Sequence, residues 1–473
     1  MDLSSKQPTL PALKSRPEKS KPSARSSWFV WFVVVFGLLS ALSLALYGVL
    51  NGGFGRDTHA EWLKLSDTLK KQGEPIYFAE VKPADVPPDQ NFFEAEVFAG
   101  VAENAPANPL LQRAANPGEG LNVGDLLAAA TKGNGASLDA IATAMQGAGL
   151  LRAKTEFLLA GDRVRAGMRT LGLDFSPLAE AADRPASRFP IDYGRPFPKL
   201  PHLRYLETLG DWLAIRAIAQ LSTGDADAAS LDLLMIGRLA DSIASEPFLA
   251  SQRTRRLLLG LLAGCVRVGI DWGAWTDEQL ARFAETLDRA RLLSDFGWAL
   301  RGERAQLNTM IHDALSGQKP GATDEAQAWL GADLATLDMR ALRARQVSIN
   351  RSHQLFLDAL AGSPLQPGAL IPDTVPTPAA AEKLKALSSD ARIFAQLQTY
   401  LSQAAIACAL ERYRFKNGNY PDKLSALAPD WLPAIPSDPM TGQPVGYERK
   451  PDGYALTSQG WSEDQPWTWT RNL

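Results

Sequence analysis

Four His and two Cys are all the imidazole and thiol groups this chain has, and none sits at a spacing that chemistry requires. His59, His202, His312 and His353 are far apart. His312 and Asp313 are neighbours in sequence, and neighbours on a helix do not face each other. No His-Glu-x-x-His, Gly-x-Ser-x-Gly, P-loop or Gly-x-Gly-x-x-Gly pattern is present. The acids that could act as proton donors are Glu303, inside Arg301-Gly302-Glu303-Arg304, and Glu411. A lone buried carboxylate is costly, so a salt-bridged role is expected for both. The Arg301, Glu303 and Arg304 cluster then either pairs two helices or lines a cleft. Asp89-Gln90-Asn91 before Phe92-Phe93 reads as a docking turn, or as an Asx-type turn that pins two aromatics into a core. Trp461, Trp467 and Trp469 could stack on a glycan or a partner, or could cover a sheet. Cys265 and Cys408 lie in apolar helical stretches as buried thiols or as a pair. No cofactor and no metal is expected.

The elements that must position these residues are bounded by composition. Lys and Arg number 49 against 52 Asp and Glu in 473 residues, a net charge of −3, which argues against nucleic acid as a partner. Two Cys exclude a disulfide scaffold. One local run stands out: the 23 residues Trp28–Leu50 lie within an uncharged stretch between Arg25 and Arg56. At about 1.5 Å rise per residue, a helix of that length spans roughly 34 Å, enough for a bilayer core. Its apolar region is longer than that of a cleaved signal peptide, so an uncleaved transmembrane signal-anchor is expected, with the lipid bilayer as its partner. Residues 1–27 carry Lys6, Lys14, Arg16, Lys19, Lys21 and Arg25 and read as a disordered basic tail. The positive-inside rule places that tail in the cytoplasm, the anchor in the inner membrane and the bulk of the chain in the periplasm.

Beyond residue 51 the pattern divides again. Residues 51–121 are a Pro-rich irregular segment, since Pro fixes φ and removes a donor. Residues 122–376 read as an all-α outer domain, with a Pro-rich connection at 183–202. Leu203, Leu206, Leu209, Leu213, Ile218 and Leu221 follow helical spacing, and Gly224-Asp225 turns the chain into a second helix. This hairpin resembles one tetratricopeptide-type helix pair over about 40 residues, with no second copy at a fixed period. Thr276 and Gln279 fit a capping box. Further helices are predicted over 296–315, 324–361 and 377–413. Residues 377–473 form a long helix followed by a small antiparallel sheet, with Asp452-Gly453 as the hairpin signal.

The last of these segments carries a resemblance. Ala409-Leu410-Glu411-Arg412-Tyr413, Asn417-Gly418-Asn419-Tyr420-Pro421, Leu432-Pro433, Pro436-Ser437-Asp438-Pro439, Gly442, Tyr447 and Asp452-Gly453-Tyr454 resemble the globular head of type II secretion major pseudopilins, over about 65 residues. The resemblance implies one long helix packed on a small antiparallel sheet, and a calcium site in the terminal loop. Glu463 and Asp464, with Asp438 and Asp452 elsewhere, offer few oxygens for such a site, and solvated loop carboxylates are the plainer reading. Ser26-Ser27-Trp28 lacks the Gly of a prepilin-peptidase junction, so pilin-type processing is not expected. The whole chain also resembles a group of uncharacterised single-pass bacterial envelope proteins, which brings no activity with it. The expected fold class is therefore mainly α: a single transmembrane helix, an all-α helical-hairpin outer domain and a small α+β pseudopilin-like C-terminal module. The expected function is that of a non-enzymatic envelope or secretion-associated interaction protein with an envelope protein partner. The alternative is an envelope hydrolase acting on peptidoglycan or another polymer through helix-borne carboxylates.

Overall fold

Helices form where apolar residues at helical spacing meet a capping side chain. The computed structural model of the chain describes residues 57–130, 135–151, 158–318, 324–332, 334–371, 378–462 and 465–472. Residues Met1–Glu61 and Trp62–Leu473 are two separate units, and the fold described is that of the second. After α1 (Thr58–Lys71) the Pro-rich segment runs through short 3-10 turns at Phe78–Val81, Pro88–Gln90, Phe92–Glu94 and Glu96–Phe98. The small helices α2 (Pro109–Ala115), α3 (Val123–Ala130), α4 (Gly135–Gly147), α5 (Ala160–Leu171) and α6 (Ser176–Ala182) follow. Then come α7 (His202–Leu221), α8 (Ala226–Ser242), α9 (Leu249–Asp271), α10 (Asp277–Asp288), α11 (Leu292–Leu315), α12 (Asp324–Leu330), α13 (Met339–Leu360) and α14 (Pro378–Asn417). The chain closes with β1 (Gly446–Lys450), β2 (Gly453–Ser458) and β3 (Trp467–Asn472).

The α7–α8 hairpin forms as its spacing predicts. Gly224 supplies the left-handed turn at φ 79°, and the Asp225 carboxylate accepts from the Ala228 N–H at 3.3 Å. Helix α7 lies at the centre of the first half, with α3, α5, α8 and α9 packed around it. The long helix α14 does the same for the second half, lying along α9, α10, α11 and β3. The capping box of α10 is present: Gln279 N–H donates to Thr276 Oγ1, and Thr276 N–H donates to Gln279 Oε1. The sheet is antiparallel in the order β1-β2-β3, with Lys450 opposite Gly453 at the hairpin and Leu456 opposite Trp469. One hydrophobic core runs from Phe92 to Trp469. A single helix over 324–361 does not form. It divides into α12 and α13, because the Asp338 carboxylate accepts from the Ala341 N–H at 2.7 Å and starts a new helix there.

The expected fold class needs one correction. The described chain is mainly helical with one small antiparallel sheet, and none of its helices is long and apolar enough to cross a membrane. The reason lies in their charge spacing: α9 carries Arg253, Arg255, Arg256, Arg267 and Asp271, which leaves only Leu257–Val266 uncharged. The transmembrane, single-pass and signal-anchor reading thus finds no support among the described helices. The run Trp28–Leu50 that carried it lies outside the described residues, as does the basic tail 1–27.

Candidate functional site

Helix α11 brings Arg301 and Arg304 to one carboxylate, that of Glu74, more than 220 residues earlier in the chain. Arg301 donates from Nε at 2.9 Å and from Nη2 at 2.8 Å, and Arg304 donates from Nη2. Arg304 is fully buried and also donates to Gln354 on α13 at 2.8 Å. Burial works against the Glu74 carboxylate, but the two guanidinium groups outweigh it and hold its pKa below the usual value. Farther along α11, the Thr309 hydroxyl accepts from the Phe78 N–H at 2.9 Å and the Gln306 amide accepts from the Phe197 N–H at 2.7 Å. Asn308 exchanges amide hydrogen bonds with Asn350 at 2.8 and 3.0 Å. The polar residues of α11 therefore staple two irregular segments and one helix to its sides. Gly302 sits where this packing is closest: a Cβ there would lie 1.9 Å from the Pro247 carbonyl oxygen. Of the Arg301, Glu303 and Arg304 group, the first and last pair with a distant segment, and Arg301 also lines a cavity of about 390 Å³ with Leu293, Gly297, Leu357 and Leu360. Glu303 is buried on the same helix.

The other expected residues sort themselves by burial. Asn91 is buried, and its amide accepts from the Phe93 N–H at 3.3 Å and the Arg188 N–H at 2.7 Å while donating to the Arg188 carbonyl at 2.8 Å. It is the Asx-type turn that fixes Phe92 and Phe93, and it joins the two Pro-rich segments as well. Asp89 is exposed at the surface of that turn. His59 and His312 are exposed, the latter edge-on to Tyr77. His202 is buried against the Glu246 carboxylate at 2.9 Å and stacked on Phe189. His353 lies under Trp329 with neither ring nitrogen finding a hydrogen-bond partner among the described residues, and burial, with Arg304 and Lys383 adding, brings its pKa down to about 3. Glu411 accepts from the Tyr420 hydroxyl at 2.8 Å and from Arg414 at 2.9 Å, a closed structural group.

Cys265 and Cys408 are free and buried, and burial pushes both thiols up, that of Cys265 to about 12. Trp469 is fully buried between Tyr400 and Arg267. Trp461 and Trp467 are half-buried, and Trp467 lines a cavity of about 410 Å³ with Ile393, Leu397 and Tyr400. Among the described residues, no three His, Cys, Asp or Glu side chains come together to hold a metal. Glu463 and Asp464 lie outside the described residues. Asp438, named with them, spends its oxygens on the Met440 and Gln459 N–H groups at 2.8 and 2.6 Å.

One open feature was not legible in sequence. A cleft of about 730 Å³ lies between α5 and α8, with α7 as its floor and the start of α6 closing one end. Met168, Leu173, Leu213 and Met235 give it apolar walls, and Leu231 stands on the rim at 61% exposure. Across the floor, Arg216 grips Asp232 through Nε, at 2.7 Å, and Nη2, and its guanidinium lies over the Phe175 ring at 4.2 Å. Burial pushes the Asp232 carboxyl up, partly offset by Arg216 and by the hydrogen bond from Gln220. Arg165 bridges Asp162 on its own helix and Asp225 at the cap of α8, at 3.2 Å for the latter. Asp174 accepts from the Ser176 N–H and hydroxyl at 3.0 and 2.8 Å, and these bonds hold its pKa low. The size and the mixture of apolar walls with a few fixed polar groups are those of a binding cleft. Compared with known proteins, the chain matches no family model, no curated protein and no solved structure.

Proposed function

We propose that this chain is a non-enzymatic interaction protein whose helical body receives a partner protein at the α5/α7/α8 cleft. The likeness of its C-terminal sequence to a pseudopilin head supports an association with secretion assemblies. The observation that carries the reading is the contrast between the cleft and the candidate acids and bases. The cleft is open, apolar and equipped with oriented donors. Weighing against the hydrolase alternative, Arg304 is spent on Glu74, Glu411 on Tyr420 and Arg414, and His353 is sealed under Trp329, while His312 faces solvent elsewhere.

The test is site-specific photo-cross-linking in cells, with a benzophenone side chain in place of Leu231 on the cleft rim. A second chain carries it in place of Leu355, which is 51% exposed on α13. A discrete adduct is expected at the first position and not at the second. No adduct at either, or the same adducts at both, overturns the reading.

A further inference from the structure

We infer that the cleft takes an extended acidic peptide segment with an apolar anchor. This rests on the reading of the chain as an interaction protein and names the chemistry of its partner. Two carboxylates line the cleft, against the three guanidinium groups of Arg165, Arg169 and Arg216. Asp232 is held through both oxygens by Arg216, and Asp174 accepts from Ser176 through Oδ1 alone and stays a charged, exposed group at the edge. Arg165 is likewise spent on Asp162 and Asp225. What faces the open volume is therefore donor-rich. Arg169 lines the cleft, is exposed and has no carboxylate partner among the described residues. Arg216 uses Nε and Nη2 on Asp232, which leaves Nη1 as a charged donor. Because Arg216 is fixed from one edge by Asp232 and from one face by Phe175, that donor is preorganised, and little side-chain entropy is lost when it binds.

One acceptor complements these donors. Gln220 is 7% exposed and lines the cleft floor, and its Oε1 has no hydrogen-bond partner among the described residues. A buried amide oxygen without a partner is costly, and a backbone N–H from a bound segment satisfies it. The apolar residues Met168, Leu213, Leu231 and Met235 supply the surface for one aliphatic or aromatic anchor. A carboxylate for Arg169 and Arg216, an N–H for Gln220 and an apolar side chain together describe a stretch of peptide with an acidic residue close to a hydrophobic one.

The experiment uses the full chain and short fluorescein-labelled peptides in which Leu alternates with Glu, with Gln or with Lys, read by anisotropy at low and moderate salt. The Glu peptide is expected to bind at least about tenfold tighter than the Gln peptide, which corresponds to about 1.4 kcal/mol. Arg169→Glu, a surface change, is expected to abolish that preference. Gln220→Met is expected to weaken the Glu and Gln peptides by the same factor. Equal binding of the three peptides, or a Glu preference that survives Arg169→Glu, overturns the inference. If no peptide binds while the Leu231 adduct still forms, the acidic-partner inference falls and the interaction reading stands. Loss of both removes both.

Discussion

Two arginine–carboxylate groups in this molecule use the same chemistry for opposite ends. At α11, Arg301 and Arg304 enclose Glu74, and the Arg304 side chain is 0% exposed. At the cleft, Arg216 holds Asp232 just as directly but keeps 26% of its side chain exposed. The first arrangement uses the charge to pin a distant segment against a helix, and every Arg301 nitrogen already has a partner in Glu74 or the Gly297 carbonyl. The second uses one edge of the guanidinium for the fold and leaves the other edge available. What separates a structural ion pair from a recognition group here is the guanidinium edge left over: Arg301, 29% exposed, spends Nε and Nη2 on Glu74 and Nη1 on the Gly297 carbonyl, whereas Arg216 spends only Nε and Nη2, on Asp232.

The sharpest way to test that difference is Arg304→Met. It leaves a buried carboxylate with one guanidinium instead of two and takes the Arg304 donor from Gln354 Oε1, while Gln354 still donates to Asp358. Removing one partner of a buried charge pair typically costs about 3–5 kcal/mol. Urea unfolding should show a midpoint lower by a corresponding amount, and a loss under about 1 kcal/mol would mean that the α11 clamp is not what holds residues 72–81 in place.

His353 belongs to the same closed region and gives it a pH signature. Its neighbours on the packed elements are Trp329 on α12, Arg304 on α11 and Lys383 on α14. The folded pKa is about 3 against an ordinary 6.5. Below pH 6.5 the unfolded chain therefore takes up a proton that the folded chain does not, and stability falls as pH drops from 6.5 towards 3. Each pH unit in that window contributes up to about 1.4 kcal/mol. His353→Phe keeps a ring under Trp329 and removes the proton. Between pH 7 and pH 4.5 the variant should lose about 2–3 kcal/mol less than the parent chain. Parallel pH profiles for the two proteins would show that the ring is not sealed.

What could be read from sequence, and what could not, follows the same division between local and distant forces. The α7–α8 hairpin was legible because a Leu stripe, Gly224 and Asp225 act within one or two turns of chain. The α10 capping box was legible for the same reason, with Thr276 and Gln279 three residues apart. The division of α12 from α13 was missed because Asp338 as a cap competes with an apolar periodicity that continues past it. Arg301 and Arg304 could be read as structural, but not their partner Glu74, which is fixed only by tertiary packing. The cleft left no sequence signal. Arg169 and Asp174 come from the α5–α6 corner, Arg216 and Gln220 from α7, and Asp232 from α8, and no spacing rule links them.

The finest contrast between the two regions is Arg216→Met, measured at two pH values. Removing the guanidinium strands Asp232 beside Gln220, at a cost of about 2 kcal/mol at pH 7. Burial already holds the Asp232 carboxyl above its ordinary range, and without Arg216 the remaining pull downward is weaker still. A group whose folded pKa is raised is stabilised in its protonated form, so its penalty shrinks as pH falls. The cost of Arg216→Met should therefore be smaller at pH 5 than at pH 7, because burial favours the protonated Asp232 once the guanidinium is gone. Arg304→Met should not recover in this way. Glu74 keeps Arg301 at 2.8 Å, and that guanidinium still favours its charged form. Thermal unfolding of the two variants at pH 7 and pH 5 separates them: recovery in the Arg216 variant alone fits an acid that only its partner keeps charged. Equal recovery in both would mean that the clamp carboxylate is no better held than the one in the cleft.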